Sequence, residues 1–169
     1  MIKIKKNILT KSSFKKLNDI MASNYFPWYE KDMINPFDKT GYGYFTHYLY
    51  LENKINSAFY EEIIPEFLKK LKVKKLIRAR LNLYPKTMKT VEHAYHVDYK
   101  FNHTSAVFFV NDNNGYLFLK KPFLKPRSGL FGSVINPSNL KGCFASDRLL
   151  RYSDGKPDVL VGRKLLVCL

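Results

Sequence analysis

His96 and Asp98 are the residues whose types and spacing are best suited to binding a metal. They lie in residues 95–99 (YHVDY), which we predict to be a β-strand, and side chains at i and i+2 of a strand share one face. One imidazole and one carboxylate make up two-thirds of the facial triad of two histidines and a carboxylate, which holds non-haem Fe(II) and leaves positions open for other ligands. Because such a pair also arises by chance, an ordinary salt-bridged or surface pair is the alternative.

Two helices are predicted ahead of this pair. In residues 11–23 (KSSFKKLNDIMAS) apolar side chains recur at helical spacing, with serines as possible N-terminal caps. In residues 56–71 apolar side chains recur every four residues, acids come early and lysines late, and this order favours the helix dipole. Pro65 should kink the second helix or shift its start. Between the helices, the aromatic stretch up to Leu51 is predicted to be irregular.

A run of short strands is predicted after the second helix. Residues 76–84 alternate between two faces in the way a half-buried strand does. Further strands are predicted at 94–100, 104–110, 116–119, 129–135 and 148–152, and residues 111–115 (NDNNG) supply a turn. Two helices followed by short strands indicate antiparallel sheets packed on helices.

Length and composition indicate one globular domain. The chain has 169 residues, of which 46% are hydrophobic and 15% aromatic, enough apolar surface for one core. No apolar run is long enough to cross a membrane, and no secretion signal is recognised. The two cysteines, Cys143 and Cys168, are too few for a disulfide framework. A cytoplasmic protein is expected, in the host cell cytoplasm if the source is viral.

The strongly basic charge predicts an anionic partner. Lysine and arginine number 29 against 14 acidic residues, a formal net charge of +15. One lysine cluster lies within residues 3–16 and a second cluster of lysine and arginine within 69–80. Nucleic acid or an acidic protein is a possible partner, and an anionic small substrate is a further one. The alternative is a solvated, lysine-rich surface without a binding role.

An ordered set of motifs resembles the phage-type 2-oxoglutarate and Fe(II)-dependent oxygenases, which are relatives of prolyl 4-hydroxylase. The resemblance covers about residues 24–120 and consists of residues 26–29 (FPWY), 45–50 (FTHYLY), 76–83 (LIRARLNL), 96–98 (HVD) and 104–116 (TSAVFFVNDNNGY). It implies a mainly β fold with flanking helices, the double-stranded β-helix (jelly-roll or cupin-like) barrel. We therefore expect one oxygenase-like domain over 1–169, with a helical part at 11–75, barrel strands at 76–152 and a divergent tail at 153–169.

The same resemblance implies roles for individual residues. His96 and Asp98 become Fe(II) ligands, and Tyr84 is similar in position to a tyrosine that contacts 2-oxoglutarate, although a plain core or surface tyrosine is the alternative. The family also carries an arginine or lysine for the far carboxylate of 2-oxoglutarate, for which Arg148 is the first candidate and Arg151 the second. An arginine fits this task because its fork pairs bidentately with a carboxylate.

The chain departs from the family pattern at the third metal ligand. The histidines are His47, His93, His96 and His103, so none stands where relatives carry a distal histidine. Asn139, or else Asn136, occupies roughly that place, and an amide oxygen is a weak neutral ligand for Fe(II). His93 or His103 could replace it only from the wrong end of the barrel. Residues 154–169 also do not match the closing strand of the family.

Two main functions follow from the resemblance. The first is an Fe(II)- and 2-oxoglutarate-dependent dioxygenase that hydroxylates an unknown substrate, with activity impaired by the missing histidine. The second is a catalytically inactive barrel that serves as a basic module for binding nucleic acid or a virion protein. An unrelated basic β-domain is a third interpretation. Trp28, Tyr29 and Tyr44 could line a substrate mouth or simply pack against the core.

Overall fold

A computed structural model gives the architecture of the chain. It describes residues 4–5, 8–34, 36–88, 91–94, 96, 98–101, 103–111, 116–120, 132–135, 144–146, 150–154 and 162–168. The helices are α1 (Lys11–Ala22) and α2 (Tyr60–Leu71). The strands are β1 (Ile4–Lys5), β2 (Tyr29–Lys31), β3 (Tyr44–Leu51), β4 (Lys54–Ile55), β5 (Arg78–Tyr84), β6 (Val91–Glu92), β7 (Ser105–Phe109), β8 (Tyr116–Lys120), β9 (Gly132–Ile135), β10 (Phe144–Ser146), β11 (Leu150–Asp154) and β12 (Gly162–Cys168).

Both predicted helices are confirmed: α1 begins at Lys11 as predicted, and α2 begins later than predicted. Helix α1 is capped by Thr10, whose hydroxyl accepts a hydrogen bond from the Ser13 amide, and not by a serine. Helix α2 begins at Tyr60, four residues later than predicted, and keeps Pro65 inside it. The helix ends at Leu71, and its C-cap residue Lys72 has a left-handed conformation with φ 54°. Neither helix is long and apolar enough to cross a membrane, nor is any other helix in the part of the chain described.

The strands form two antiparallel sheets. The large sheet has the order β1-β10-β7-β12-β5-β3-β2, with β4 paired to the far end of β3, and the small sheet has the order β6-β11-β8-β9. β2, β3 and β4 are consecutive strands, of which β3 pairs with the other two, whereas the pairs β12–β5, β12–β7 and β1–β10 join strands that are distant in sequence. β2 approaches β3 closely at Gly43, where a Cβ would lie 2.4 Å from the Lys31 carbonyl oxygen.

One face of the large sheet packs on the two helices and forms the core. Phe67 of α2 meets Phe108 of β7 edge to face, with ring centroids 4.9 Å apart, and both side chains are buried. Fully burying a side chain of this kind contributes about 1.5–3 kcal/mol. The same cluster contains Leu17, Met21, Leu49, Ile63, Ile64, Ala79, Leu81, Leu165 and Val167.

The opposite face of the large sheet is polar. Because β5 alternates, Arg78, Arg80, Asn82 and Tyr84 lie on the face away from Ala79 and Leu81. Register brings neighbouring strands into line, with Thr46 opposite Asn82 and Cys168 opposite both Arg78 and Ser105. We call this set the polar face: Tyr44, Thr46, Arg78, Arg80, Asn82, Tyr84, Ser105 and Cys168.

Three sequence predictions need correction. The stretch predicted to be irregular contains β3, whose alternation of polar and apolar side chains was hidden by its many aromatics. The predicted strand 94–100 is not observed: β6 ends at Glu92, and neither His96 nor Asp98 lies in an extended strand. The predicted strands end at residue 152, but β12 lies beyond them and pairs with β5 and β7 in the middle of the large sheet. Its alternating Leu165 and Val167 face the core.

Candidate metal and anion site

Asp98 sits in a cluster of buried polar groups on the polar face. Its side chain is 4% exposed and forms a salt bridge with Arg78, while the Arg80 guanidinium lies 3.8 Å from the same carboxylate oxygen, Oδ1. The other oxygen, Oδ2, accepts a hydrogen bond from the Ser105 hydroxyl at 3.2 Å and one from the Cys168 thiol at 3.5 Å. The carboxylate is therefore fixed on both sides.

The cluster carries more positive than negative charge among the residues described. The Arg78 and Arg80 side chains are 12% and 9% exposed, and Asp98 is the acid that pairs with both. Burial by itself would raise the pKa of Asp98, but the two guanidinium groups outweigh burial and lower it. Asp98 is thus a carboxylate at neutral pH. One buried positive charge in excess favours an additional anion.

His96 lies beside this carboxylate. Burial lowers the pKa of His96, although Asp98 acts in the opposite direction, so the ring is neutral at pH 7. Its Nδ1 lies 3.4 Å from the Ala94 carbonyl oxygen, which suits a tautomer with the proton on Nδ1. In that tautomer Nε2 carries a lone pair. A neutral imidazole and an ionised carboxylate are the protonation states that metal ligands require.

A line of polar contacts runs from Arg80 along the polar face to Tyr84. The Arg80 Nη1 donates to the Tyr44 hydroxyl at 3.2 Å, and the Tyr44 and Tyr84 rings stack with centroids 5.4 Å apart. The Asn82 amide nitrogen donates to the Tyr84 hydroxyl at 3.3 Å, and Thr46 bonds the Asn82 amide oxygen at 2.9 Å. Tyr84 is buried and lies six residues along β5 from Arg78, about 20 Å at the usual rise of a strand.

Several predicted site residues fall outside what the structure describes. Asn139, its alternative Asn136 and Arg148 lie outside the described residues. Arg151 lies on β11 of the small sheet with its backbone opposite Phe118, and its side chain is not among those described. Within the described part of the chain, no group of three His, Cys, Asp or Glu side chains could hold a metal ion. The third metal ligand therefore stays a prediction.

The remaining histidines have other partners. The His93 Nδ1 lies 2.6 Å from Asp38 Oδ2, and both side chains are 1% exposed. His103 bonds the Phe101 carbonyl through Nδ1 at 2.8 Å. His47 bonds the Pro27 carbonyl and the Ser57 hydroxyl, each at 2.7 Å. These bonds give each ring a structural role.

The sequence prediction missed Arg78 and Arg80 as site residues. The sequence assigns both to a basic cluster, but their side chains are only 12% and 9% exposed and face Asp98. The alternation of residues 76–84 predicts that Arg78 and Arg80 share one strand face. It does not predict their burial, because an antiparallel strand with one face in the core often has its other face in solvent. The long separation between Arg78 and Asp98 in sequence hid the pairing.

No protein-family model matches the sequence, and no curated protein matches it. Several solved structures are similar to this chain in fold. A prolyl-4-hydroxylase from Pseudomonas putida aligns with a TM-score of 0.63 at 11% identity over 99% of this chain and 91% of that one. A 2OG-Fe(II) oxygenase family protein from Burkholderia pseudomallei gives 0.65 at 11% identity over 99% and 84%. A prolyl hydroxylase from Trichoplax adhaerens, in complex with a hypoxia inducible factor peptide, gives 0.64 at 11% identity over 99% and 82%.

The likenesses confirm the predicted fold at the level of the class. The chain has the fold of the 2-oxoglutarate and Fe(II) oxygenases, built from antiparallel sheets with two helices packed outside. A non-haem α-ketoglutarate-dependent epimerase shares this fold too, at a TM-score of 0.66 and 10% identity. Since one fold hosts several reactions, function has to be argued from the site.

Proposed function

We propose that the protein is an Fe(II)- and 2-oxoglutarate-dependent dioxygenase that hydroxylates an unidentified substrate, in a double-stranded β-helix barrel of the phage type. The observation that carries the proposal is a partly buried, neutral His96 beside an ionised Asp98 whose side chain is buried against Arg78 and Arg80. Such a set offers ligands to a metal and counter-charges to an organic acid in one place.

His96 and Asp98 are the proposed Fe(II) ligands. Ser105 and Cys168 hold Oδ2 of the carboxylate, and Arg78 holds Oδ1, so a metal ion at Asp98 has to displace Arg78 from Oδ1. We propose Asn139 as the third donor, in the position where relatives carry a histidine. An amide oxygen binds Fe(II) weakly, so we expect low metal affinity and slow turnover.

The two arginines are the proposed counter-charges for 2-oxoglutarate. Arg80 and the Tyr44 hydroxyl stand together on the polar face, and Asn82 adds an amide next to them. Arg148 and Arg151 stay candidates for the far carboxylate.

Bound Fe(II) together with 2-oxoglutarate would supply the oxidising chemistry, as cofactors of this kind do. The residues of the chain supply the surroundings. Asp98 stays ionised because two guanidinium groups lower its pKa, and His96 stays neutral because it is buried. Burial of the arginines keeps their charges unscreened by salt, so an anion beside them is held strongly.

Succinate formation from 2-oxoglutarate, in the presence of Fe(II) and ascorbate, tests the proposal. We expect slow production by the wild-type protein, none by His96→Gln, and faster production by Asn139→His, which restores an imidazole donor. His47→Gln is the control for losing a buried histidine, since His47 lies among Phe26 and Phe59, away from Asp98. Equal rates in wild type and His96→Gln would refute the metal assignment.

A catalytically inactive binding module is the second candidate. Two observations favour it: Arg78 already occupies the Asp98 carboxylate, and no histidine follows residue 103. Under this alternative neither the wild-type protein nor Asn139→His forms succinate, and purified protein retains no iron.

A further inference from the structure

Three aromatic rings lie directly after Asp98, and we call them the aromatic platform: Tyr99, Phe101 and His103. The Tyr99 and Phe101 rings stack with centroids 4.9 Å apart and an interplanar angle of 28°. His103 meets both rings edge-on, at 5.4 Å and 5.8 Å. Phe101 is 55% exposed although it is a large apolar side chain, so part of the platform faces solvent. An exposed stacked ring is suited to receive another planar ring.

Arg78 connects the platform to the metal ligand Asp98. Its guanidinium lies 5.0 Å from the Tyr99 ring centroid while it forms the salt bridge with Asp98. A cation over one ring and a carboxylate next to it place the platform at the edge of the proposed active site. A ring stacked on Phe101 is therefore within a few residues of the proposed metal ligands.

A run of exposed lysines comes just before β5, the strand that carries Arg78. Five lysines within seven residues are exposed, with no acid among them: Lys69, Lys70, Lys72, Lys74 and Lys75. None of them forms an ion pair with another residue in the described part of the chain. Lys75 is three residues before Arg78, so the chain allows at most about 11 Å between their Cα atoms. We call this set the lysine run.

We propose that a single-stranded nucleic acid binds across this surface, with its phosphates on the lysine run and a base stacked on the aromatic platform. Single strands are held by positive charge along the backbone together with aromatic stacking of bases. An acidic protein would use the lysines but has no need of an exposed stacked ring. The inference rests on the proposed function in one respect only: it makes the nucleic acid the substrate class of that site.

Fluorescence anisotropy with labelled oligo(dT) and oligo(U) of about 12 nucleotides tests the proposal, at salt from about 50 to 200 mM. Phe101→Ala should weaken binding about tenfold and leave the salt dependence unchanged, because it removes stacking and no charge. Lys74→Ala with Lys75→Ala should weaken binding and lower the slope of log K against log salt by about 1.4, the loss of two phosphate contacts on a single strand.

Matched controls come from elsewhere on the chain. Phe37→Ala removes an aromatic ring that is 77% exposed, and Lys15→Ala with Lys16→Ala removes two lysines that pair with Asp19 and Glu62. Both controls should change affinity less than about twofold. Effects of the controls equal to those of the test variants overturn the proposal, and so does equal binding of a poly-glutamate peptide, which would mean that charge alone attracts the partner.

Nucleic-acid binding and oxygenase activity are measured separately, so the two proposals can fail separately. If succinate is never formed but Phe101→Ala weakens oligonucleotide binding as described, the nucleic-acid surface stands and the dioxygenase proposal falls. If succinate is formed and oligonucleotides do not bind at about 50 mM salt, the substrate class is wrong.

Discussion

Two buried carboxylates in this protein have different surroundings. Asp38 pairs with His93 and accepts a backbone hydrogen bond from Thr40 at 3.1 Å. Asp98 faces two arginines, a hydroxyl and a thiol. For both groups burial would raise the pKa, and for both the hydrogen bonds and charges around them lower it.

The difference lies in the charge left over. Asp38 pairs with a single histidine, His93, and this contact ties the loop before β3 to the residue after β6. The Asp98 cluster holds two guanidinium groups against one carboxylate among the described residues, so its charge is balanced only by a further anion. We propose that Asp38 has a structural role and Asp98 a functional one, although both side chains are buried.

The largest effect is expected from Asp98→Asn. It leaves two buried arginines without their carboxylate, which typically costs about 3–5 kcal/mol of the free energy of unfolding. Asp38→Asn removes a hydrogen-bonded acid beside a single histidine, and about 1–3 kcal/mol is expected. Thermal unfolding of both variants measures the difference. An equal loss in the two variants would remove the distinction between the two acids.

Arg78→Gln should have an intermediate effect, and it should strengthen metal binding. Because Arg78 occupies Asp98 Oδ1 and repels cations, its removal should tighten Mn(II) binding about tenfold, or about 1.4 kcal/mol. Calorimetric titration with Mn(II) as a substitute for Fe(II) measures this. Lys31→Gln removes a positive charge from an exposed residue of β2 and serves as the control. Weaker Mn(II) binding by Arg78→Gln would mean that the arginine supports the metal site.

The free energy of unfolding should decrease as the pH is lowered, in two separate pH ranges. Burial lowers the pKa of His47 and His96, so below about pH 6.5 the unfolded chain takes up protons that the native protein does not, and stability decreases. Because the pKa values of Asp38 and Asp98 are lowered, both groups stabilise the native protein above about pH 3.9, and this stabilisation is lost as the pH falls through their native pKa. Urea unfolding across this range measures both steps. A stability that rises between pH 7 and 5 would contradict these directions.

Cys168→Ser should have the smallest effect. Burial raises the pKa of Cys168 to about 11, so the group is a neutral thiol that donates to Asp98. A serine hydroxyl can donate in its place, and we expect a change of less than about 1 kcal/mol in the free energy of unfolding. Urea unfolding at pH 7 detects it. A loss as large as that of Asp98→Asn would make the thiol an essential part of the cluster.

Sequence patterns predicted the elements whose periodicity is local. The spacing of apolar side chains predicts α1 and α2, and alternation predicts β5 and β7, because each pattern lies within the element itself. β12 was missed, since its place between β5 and β7 depends on pairing with residues about 60 to 90 positions away. Arg78 and Arg80 are too far from Asp98 in sequence for a local pattern to indicate their contacts with it. His96 and Asp98 are two residues apart, and their role as metal ligands stays a prediction.

A titration of Mn(II), followed by electron paramagnetic resonance, tests the central claim most directly. It compares wild type with His96→Gln and His93→Gln, which remove the histidine next to each buried acid. We expect His96→Gln to weaken Mn(II) binding at least about tenfold and His93→Gln to leave it unchanged. Loss of binding in His93→Gln with normal binding in His96→Gln would contradict the assignment of the metal to the Asp98 side.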